Sequence, residues 1–256
     1  MKSFTVSALE DFPLIKKGDD VAQIIVDVAE KNGLAFEDGD VVVVAQKVFS
    51  KAEGREVNLR TVVPSEEARR IAKKIGKNAR FVELVLRETK RLIKVSSDVL
   101  LVEDKRGLVC INAGIDKSNV KGRENFALLP ENPDYSAEKC RLEIKKLTGK
   151  NVAVIISDTY SRPFRRGQVN FAIGMAGLKP FRDYRGTMDL FGQVLKVKNV
   201  AVVDEIAATA ELLMGQAREK TPVVIFKRLS NLSFCERSDV DELFISAEED
   251  LFKGSL

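Results

Sequence analysis

The hydrophobic positions fall into blocks of two kinds. "GDVVVVAQKV" (residues 39–48), "NVAVIISD" (151–158) and "PVVIF" (222–226) are continuous apolar runs that read as buried strands, with Gly39-Asp40 as the turn before the first. Other blocks repeat with a helical period. Val21 to Val28 reads as a helix ending near Asn32-Gly33. Ala68, Ile71, Ala72 and Ile75 fall at i, i+3, i+4 and i+7, which predicts a helix over Glu66–Ile75 capped by Ser65 and Gly76. A second helix follows over about Phe81 to Arg91. Leu92–Ser97, Leu100–Glu103 and Gly107–Asn112 then read as short strands. "LLPENPDYSAEKCRLEIKKLTGK" is a loop and a helix, with Asp134 or Ser136 as N-cap and Gly149 at its end. "FAIGMAGLK" is apolar but small, and its Gly174 and Gly177 imply close approach of another backbone or a ligand. "NVAVVDEIAATAELLMGQ" is a strand entering a helix, with Ile206, Thr209, Ala210 and Leu213 as inner stripe and Gly215 as its end. From Ser230 the chain is polar and acidic, which predicts a loose helix or partial disorder. Strands and helices interleave without strict alternation, so the expected class is α+β rather than a TIM barrel.

Composition narrows the chemistry. The 256 residues allow one large domain or two small ones, at roughly 100–200 residues each. A net charge of +4 suits anionic small ligands. No arginine-rich tail or long basic face stands out, so nucleic acid is not an expected partner. No run approaches the roughly 18 apolar residues of a membrane span, and acids and a proline interrupt the N-terminus, so a cytoplasmic protein is expected. The three cysteines are odd in number and far apart, which fits reduced thiols. There is no histidine. That excludes Ser-His-Asp and Cys-His catalysis and leaves oxygen ligands for any metal, hence Mg²⁺ or Mn²⁺. Neither a Walker P-loop nor GxGxxG is present.

Four segments carry candidate chemistry. In "ISDTYSRPFRRGQ", residues 156–168, Asp158 and Thr159 sit at the mouth of a buried strand, where ligands bind in many α/β sheets. Arg162, Arg165 and Arg166 follow, with forked donors suited to phosphate or carboxylate. A polar turn with surface ion pairs explains the same residues about equally well. In "CINAGIDKSNV", residues 110–120, Asn112, Asp116 and Asn119 offer oxygens, although Asx-turns explain most such runs. Asp116 and Asp158 could share a divalent ion that places a nucleotide's phosphates. Lys47, Lys51 and Arg55 repeat every four residues and would form one cationic face, with a solvated lysine face as the simpler alternative. In "LLMGQAREKTP", Gly215 reads as a helix C-cap and Gln216 offers an amide oxygen.

Together these segments resemble the coenzyme F420-0:L-glutamate ligases, the gamma-glutamyl ligases of F420. The resemblance spans about residues 8 to 227 and includes "FPLIKKGDD", "SKAEGR", "NAGIDKSN", "LLPENPDYSAE", "LTGKNVAVIISDT", "PFRRG", "DLFG" and "DEIAATAELLMG", in the family's order. It implies GTP-dependent amide-bond formation with Mg²⁺ or Mn²⁺, and K⁺ as an optional further ion. The γ-phosphate would pass to an acceptor carboxylate, F420-0, to give an acyl phosphate that the L-glutamate amine attacks. The implied metal ligands are Asp116, Asp158, Thr159 and Gln216. The implied nucleotide-binding residues are Phe12, Pro13, Leu14, Ile15, Gln46, Lys47, Lys51 and Asn119, with Met214, Gly215, Gln216, Ala217, Arg218, Glu219, Lys220 and Thr221. Arg162, Arg165 and Arg166 are assigned to the catalytic site as binders of phosphate or of the acceptor carboxylate.

The resemblance also implies a two-domain α+β fold with largely antiparallel sheets, in an interlocked homodimer. We expect residues 1–88 and 172–229 to form a nucleotide-binding domain, 89–171 a second domain carrying metal ligands, and 230–256 a divergent tail. Three departures stand out. Gln46-Lys47 replaces the family's Ser-Thr pair, Gln216 replaces a glutamate in "MGEG", and Gln193 replaces an arginine after "DLFG". They leave open another acid acceptor, such as a folate or pterin, or a nucleotide-binding protein without catalysis.

Overall fold

The computed structural model describes residues 1–97, 99–246 and 248–250. Two compact units divide the chain: Met1–Ala52 with Asn132–Leu243, and Glu53–Glu131 with the segment from Phe244. The first unit opens with β1 (Thr5–Ala8), α1 (Val21–Lys31), β2 (Val41–Ala45) and α2 (Gln46–Ala52). The second holds β3 (Glu56–Asn58), α3 (Glu66–Ile75), α4 (Ala79–Arg87), β4 (Thr89–Val95), β5 (Leu100–Asp104), β6 (Val109–Ile111) and β7 (Asn125–Ala127). The chain then returns to the first unit with α5 (Pro133–Thr148), β8 (Ala153–Ser161), β9 (Gln168–Ala176), β10 (Phe181–Asp183), β11 (Asn199–Ala201), α6 (Val202–Met214) and β12 (Val223–Lys227).

The first unit is built on a five-stranded sheet of order β1-β12-β2-β8-β9. Only β2 and β8 run parallel, from Val41↔Ala153 to Ala45↔Ser157; the other pairs are antiparallel. Largely antiparallel sheets were expected. Val41–Val44 and Ala153–Ile156 are fully buried, because a central strand covered on both faces needs apolar residues at every position. Val41, Val43, Ala153 and Ile155 share a core with Val203, Ile206, Ala207 and Ala210 of α6. Each buried Val or Ile stabilises by about 1.5–3 kcal/mol relative to exposure. Helix α5 packs on β8, β9 and α1.

The second unit pairs α3 with α4 and carries the β4-β5-β6 sheet and the β3-β7 ladder. Ser65 accepts from the Ala68 N–H at 3.2 Å and Gly76 closes the helix, as expected for α3. Helix α4 starts and ends earlier than expected. Asn78 accepts from the Arg80 N–H at 2.8 Å, so the cap lies three residues before Phe81, and the chain is extended again from Thr89.

Several expectations are corrected. The N-cap of α5 is Asn132, which accepts from the Tyr135 N–H at 2.9 Å, with Pro133 in the first turn. Asp134 is engaged elsewhere, accepting the Met175 N–H at 2.7 Å and the Val240 N–H at 3.2 Å. The buried stripe of α6 includes Ala207 and Met214 rather than Thr209 and Leu213, because the helix begins at Val202. The segment after Ser230 docks on the first unit. Phe234 bridges Leu178, the Cys235 N–H donates to the Gly177 carbonyl at 3.2 Å, and Val240 is buried in a 3-10 turn, Val240–Leu243. The rest of the tail expectation, on residues 251–256, lies outside the described residues.

Candidate active site

The predicted nucleotide segments of the first unit converge on one edge of its sheet. β1 and β2 end there and β12 begins there. The Leu9 N–H donates to the Val223 carbonyl at 2.9 Å and the Phe12 N–H to the Lys220 carbonyl at 3.3 Å. The Ala45 N–H donates to the Pro222 carbonyl at 2.8 Å, which places Gln46 beside the same loop. Phe12–Ile15, Gln46 and Met214–Thr221 are therefore neighbours in space. Phe12 and Ile15 face inward, while Leu14 is exposed. Lys47 and Lys51 lie four apart on α2, one helix face as expected. Arg55 lies beyond the end of α2, in the second unit, where it pairs with Glu88 at 2.6 Å and donates to the Leu129 carbonyl at 3.1 Å.

The loop after α6 is shaped by Gly215, whose φ of 66° and ψ of 178° lie in a region essentially restricted to glycine. An added Cβ there would sit 2.4 Å from the Glu219 Cδ. The glycine therefore does more than cap the helix. It lets Glu219 fold over it and accept the Ala217 N–H at 2.8 Å. Thr221 ties the loop back, donating to the Leu213 and Met214 carbonyls, both at 3.0 Å.

Beyond Ser157, β8 leaves its pairing with β2 and continues with β9 alone as a two-stranded ribbon. Side chains on a strand alternate, so Ser157 and Thr159 share one face and Asp158 takes the other. The Thr159 hydroxyl lies 3.1 Å from the Asn170 Oδ1 and 3.0 Å from the Gln216 Nε2. Gln216 Nε2 also donates to the Glu211 Oε1 at 3.0 Å, and Asn170 Nδ2 approaches the Ser157 Oγ at 3.5 Å. Thr159 and Gln216, 57 residues apart, are thus joined directly. Sequence reading missed Asn170, which is buried, and Glu211. Cross-strand register alone gives Asn170, and no short motif marks either.

The three arginines occupy the turn between β8 and β9. Arg162 is half-buried; its Nη2 donates to the Arg166 carbonyl at 3.3 Å and its buried Nε has no partner among the described residues. Arg165 and Arg166 are exposed, and neither forms an ion pair among the described residues. Surface ion pairs therefore do not account for this cationic tip.

Asp116 and Asn119 belong to the second unit. Both oxygens of Asp116 accept from Ser118, its N–H at 2.7 Å and its hydroxyl at 2.8 Å, and Asn119 has a left-handed φ of 55°. Asn112 is committed to structure: its Oδ1 accepts the Leu100 N–H at 3.0 Å.

The donor set suits a hard divalent cation. Within the first unit, Asp158, Thr159 and Gln216 offer carboxylate, hydroxyl and amide oxygens, and no group of three or more acids or cysteines converges among the described residues. Mg²⁺ or Mn²⁺, which keep several waters and need few protein oxygens, fit such a set better than an all-protein cage.

The sequence matches the family described as F420-0:Gamma-glutamyl ligase over residues 11–228. This chain belongs to that family. Among curated relatives it is similar to the Coenzyme F420:L-glutamate ligase of Archaeoglobus fulgidus, with 47% identity covering 98% of this chain and 97% of that protein. It is 43% identical to the ligase of the same name from Methanothermobacter thermautotrophicus, covering 96% of this chain and 97% of that one. For Methanocaldococcus jannaschii the identity is 45%, covering 86% of each.

Gln46 and Gln216, two residues that the sequence reading singled out, sit at the sheet edge described above. Gln46 is buried; its Oε1 accepts from the Ser50 hydroxyl at 2.6 Å, and its Nε2 has no partner among the described residues. A buried amide donor without an acceptor costs about 1–3 kcal/mol. Gln216 is exposed and engaged by Thr159 and Glu211. Among the described residues no helix is long and apolar enough to cross a membrane.

Proposed function

We propose that this chain is a GTP- and divalent-metal-dependent ligase that joins L-glutamate to F420-0. The observation that carries this reading is the 43–47% identity, over nearly the whole chain, to relatives named Coenzyme F420:L-glutamate ligase. The γ-phosphoryl group passes from GTP to an acceptor carboxylate oxygen, releasing GDP. The glutamate amine then attacks the acyl carbon; the C–N bond forms, the C–O bond to phosphate breaks, and the amine loses a proton. The proposed metal ligands are Asp116, Asp158, Thr159 and Gln216. A bound Mg²⁺ or Mn²⁺ would neutralise phosphate oxygens. Phe12–Ile15, Gln46, Lys47, Lys51, Asn119 and Met214–Thr221 are proposed to hold the nucleotide. Arg162, Arg165 and Arg166 at the β8–β9 turn are proposed to supply charge for phosphate or for the acceptor carboxylate, and such fixed charge serves catalysis without a histidine base.

We also propose a homodimer. Its support is a hairpin arm over residues 184–198, closed by the Met188↔Val194 bridge and by the Asp189 N–H to the Gln193 carbonyl at 2.9 Å. Its tip carries Leu190 at 99% and Phe191 at 89% exposure, apolar surface that a lone chain has no reason to keep in water.

Phosphate release from GTP, with Mn²⁺ and glutamate, tests the activity. Release that requires F420-0 is expected, and Asp158→Asn should abolish it while leaving the thermal melt unchanged. Release with a folate but not with F420-0 would replace the acceptor. Binding of GTP without release with either acceptor would replace catalysis by nucleotide binding.

A further inference from the structure

Glu211 stands in the last turn of α6, a turn with no basic residue. A negative charge at a helix C-terminus opposes the macrodipole, so this position does not serve the helix. The polar partner in view is the Gln216 side chain, whose Nε2 lies 3.0 Å from the Glu211 Oε1. A carboxylate only accepts, so it can meet the amide's nitrogen but not its oxygen. The hydroxyl of Thr159 is less selective: it lies 3.0 Å from the Nε2 and 3.3 Å from the Oε1 of Gln216.

We propose that Glu211 is a positioning residue that fixes the polarity of this chain of hydrogen bonds. With Glu211 in place, the two Gln216 amide hydrogens go to Glu211 and to the Thr159 oxygen. Thr159 then turns its own hydrogen to the Asn170 Oδ1 at 3.1 Å, and the Asn170 amide faces Ser157. The Gln216 carbonyl oxygen is left as the acceptor presented to a ligand. A flipped amide would set that oxygen against the Glu211 carboxylate. In this way a neutral glutamine acts as an oriented oxygen donor for a divalent cation, while the negative charge stands one residue further out. This inference rests on the divalent-cation reading of the site.

Two measurements on the full chain test it. In ¹⁵N-labelled protein, the Gln216 side-chain amide, assigned by its loss in Gln216→Ala, is expected to give two widely separated proton signals. Those signals should collapse toward free-glutamine values in Glu211→Gln. Mn²⁺ binding, followed by the electron paramagnetic resonance of the free ion, is expected to weaken by about tenfold or more in the same variant, as for other outer-shell partners of metal ligands. Amide signals unchanged in Glu211→Gln would overturn the positioning role. Signals that collapse without any loss of Mn²⁺ affinity would remove its link to the cation. A wild type that fails to bind Mn²⁺, with amide signals that still depend on Glu211, would overturn the cation reading and leave the contact standing.

Discussion

Gly174 shows how one residue fixes the geometry behind the site. It lies on β9, and a Cβ there would sit 2.4 Å from the Pro133 Cβ and 2.6 Å from the Pro133 backbone carbon. The strand therefore meets the first turn of α5 at backbone distance. Gly174→Ala should destabilise by about 1–3 kcal/mol through overpacking, read as a lower urea midpoint with an unchanged slope. The sequence made a close approach at this glycine legible, because glycine inside an apolar strand has few other uses, but not its partner 41 positions earlier. The arginines belong to the same scale. Arg165 is exposed and has no ion-pair partner among the described residues, so its removal should leave stability within about 0.5 kcal/mol. If it holds an anion of the reaction, Arg165→Ala raises KM or lowers kcat by more than that amount. Steady-state kinetics showing a smaller effect would reduce it to a solvated turn residue.

At the scale of elements, α5, the edge strand β9 and the segment after Ser230 are tied together by one side chain. Asp134 accepts one N–H from Met175 and one from Val240. Burial pushes its carboxyl up to about 6, the nearby Asp239 adds to the rise, and the two N–H donors oppose it. A raised carboxyl keeps its proton in the fold at pH values where the unfolded chain has released it. Its contribution to stability is therefore full below the ordinary value of 3.8 and is lost as pH rises through about 6. The urea midpoint of the wild type should fall, relative to that of Asp134→Asn, as pH is raised across this window. Parallel pH profiles for the two proteins would dismiss the effect. Sequence reading placed α5 correctly but gave its cap to Asp134 or Ser136. Both are acceptable caps by residue type. Asn132 fills the role because Pro133 fits the first helical position, and a distant strand claims the Asp134 carboxylate.

At the scale of the whole molecule, the arm over residues 184–198 carries the prediction for assembly. Replacing Leu190 and Phe191 together by aspartate should convert the proposed dimer to a monomer by light scattering. A wild type already monomeric at micromolar concentration would remove the proposal. The arm's tip is "DLFG", one of the motifs that carried the family resemblance. Its exposure was not legible in the sequence, because an apolar pair beside a glycine reads equally well as core.

Periodicity and turn chemistry, which are local, were determined by the sequence itself. The apolar runs of β2, β8 and β12, the cap of α3 by Ser65 and the absence of histidine needed no neighbours to be read. Tertiary structure alone decided what depends on register and on contacts across the chain. It paired Thr159 with Asn170, brought Gln216 to Thr159 and set Glu211 behind Gln216. It left Gln46 buried with an amide donor that has no partner among the described residues. These are long-range pairings, made by two strands and a helix end that meet only after the sheet has formed. No local pattern encodes which oxygen will face which nitrogen.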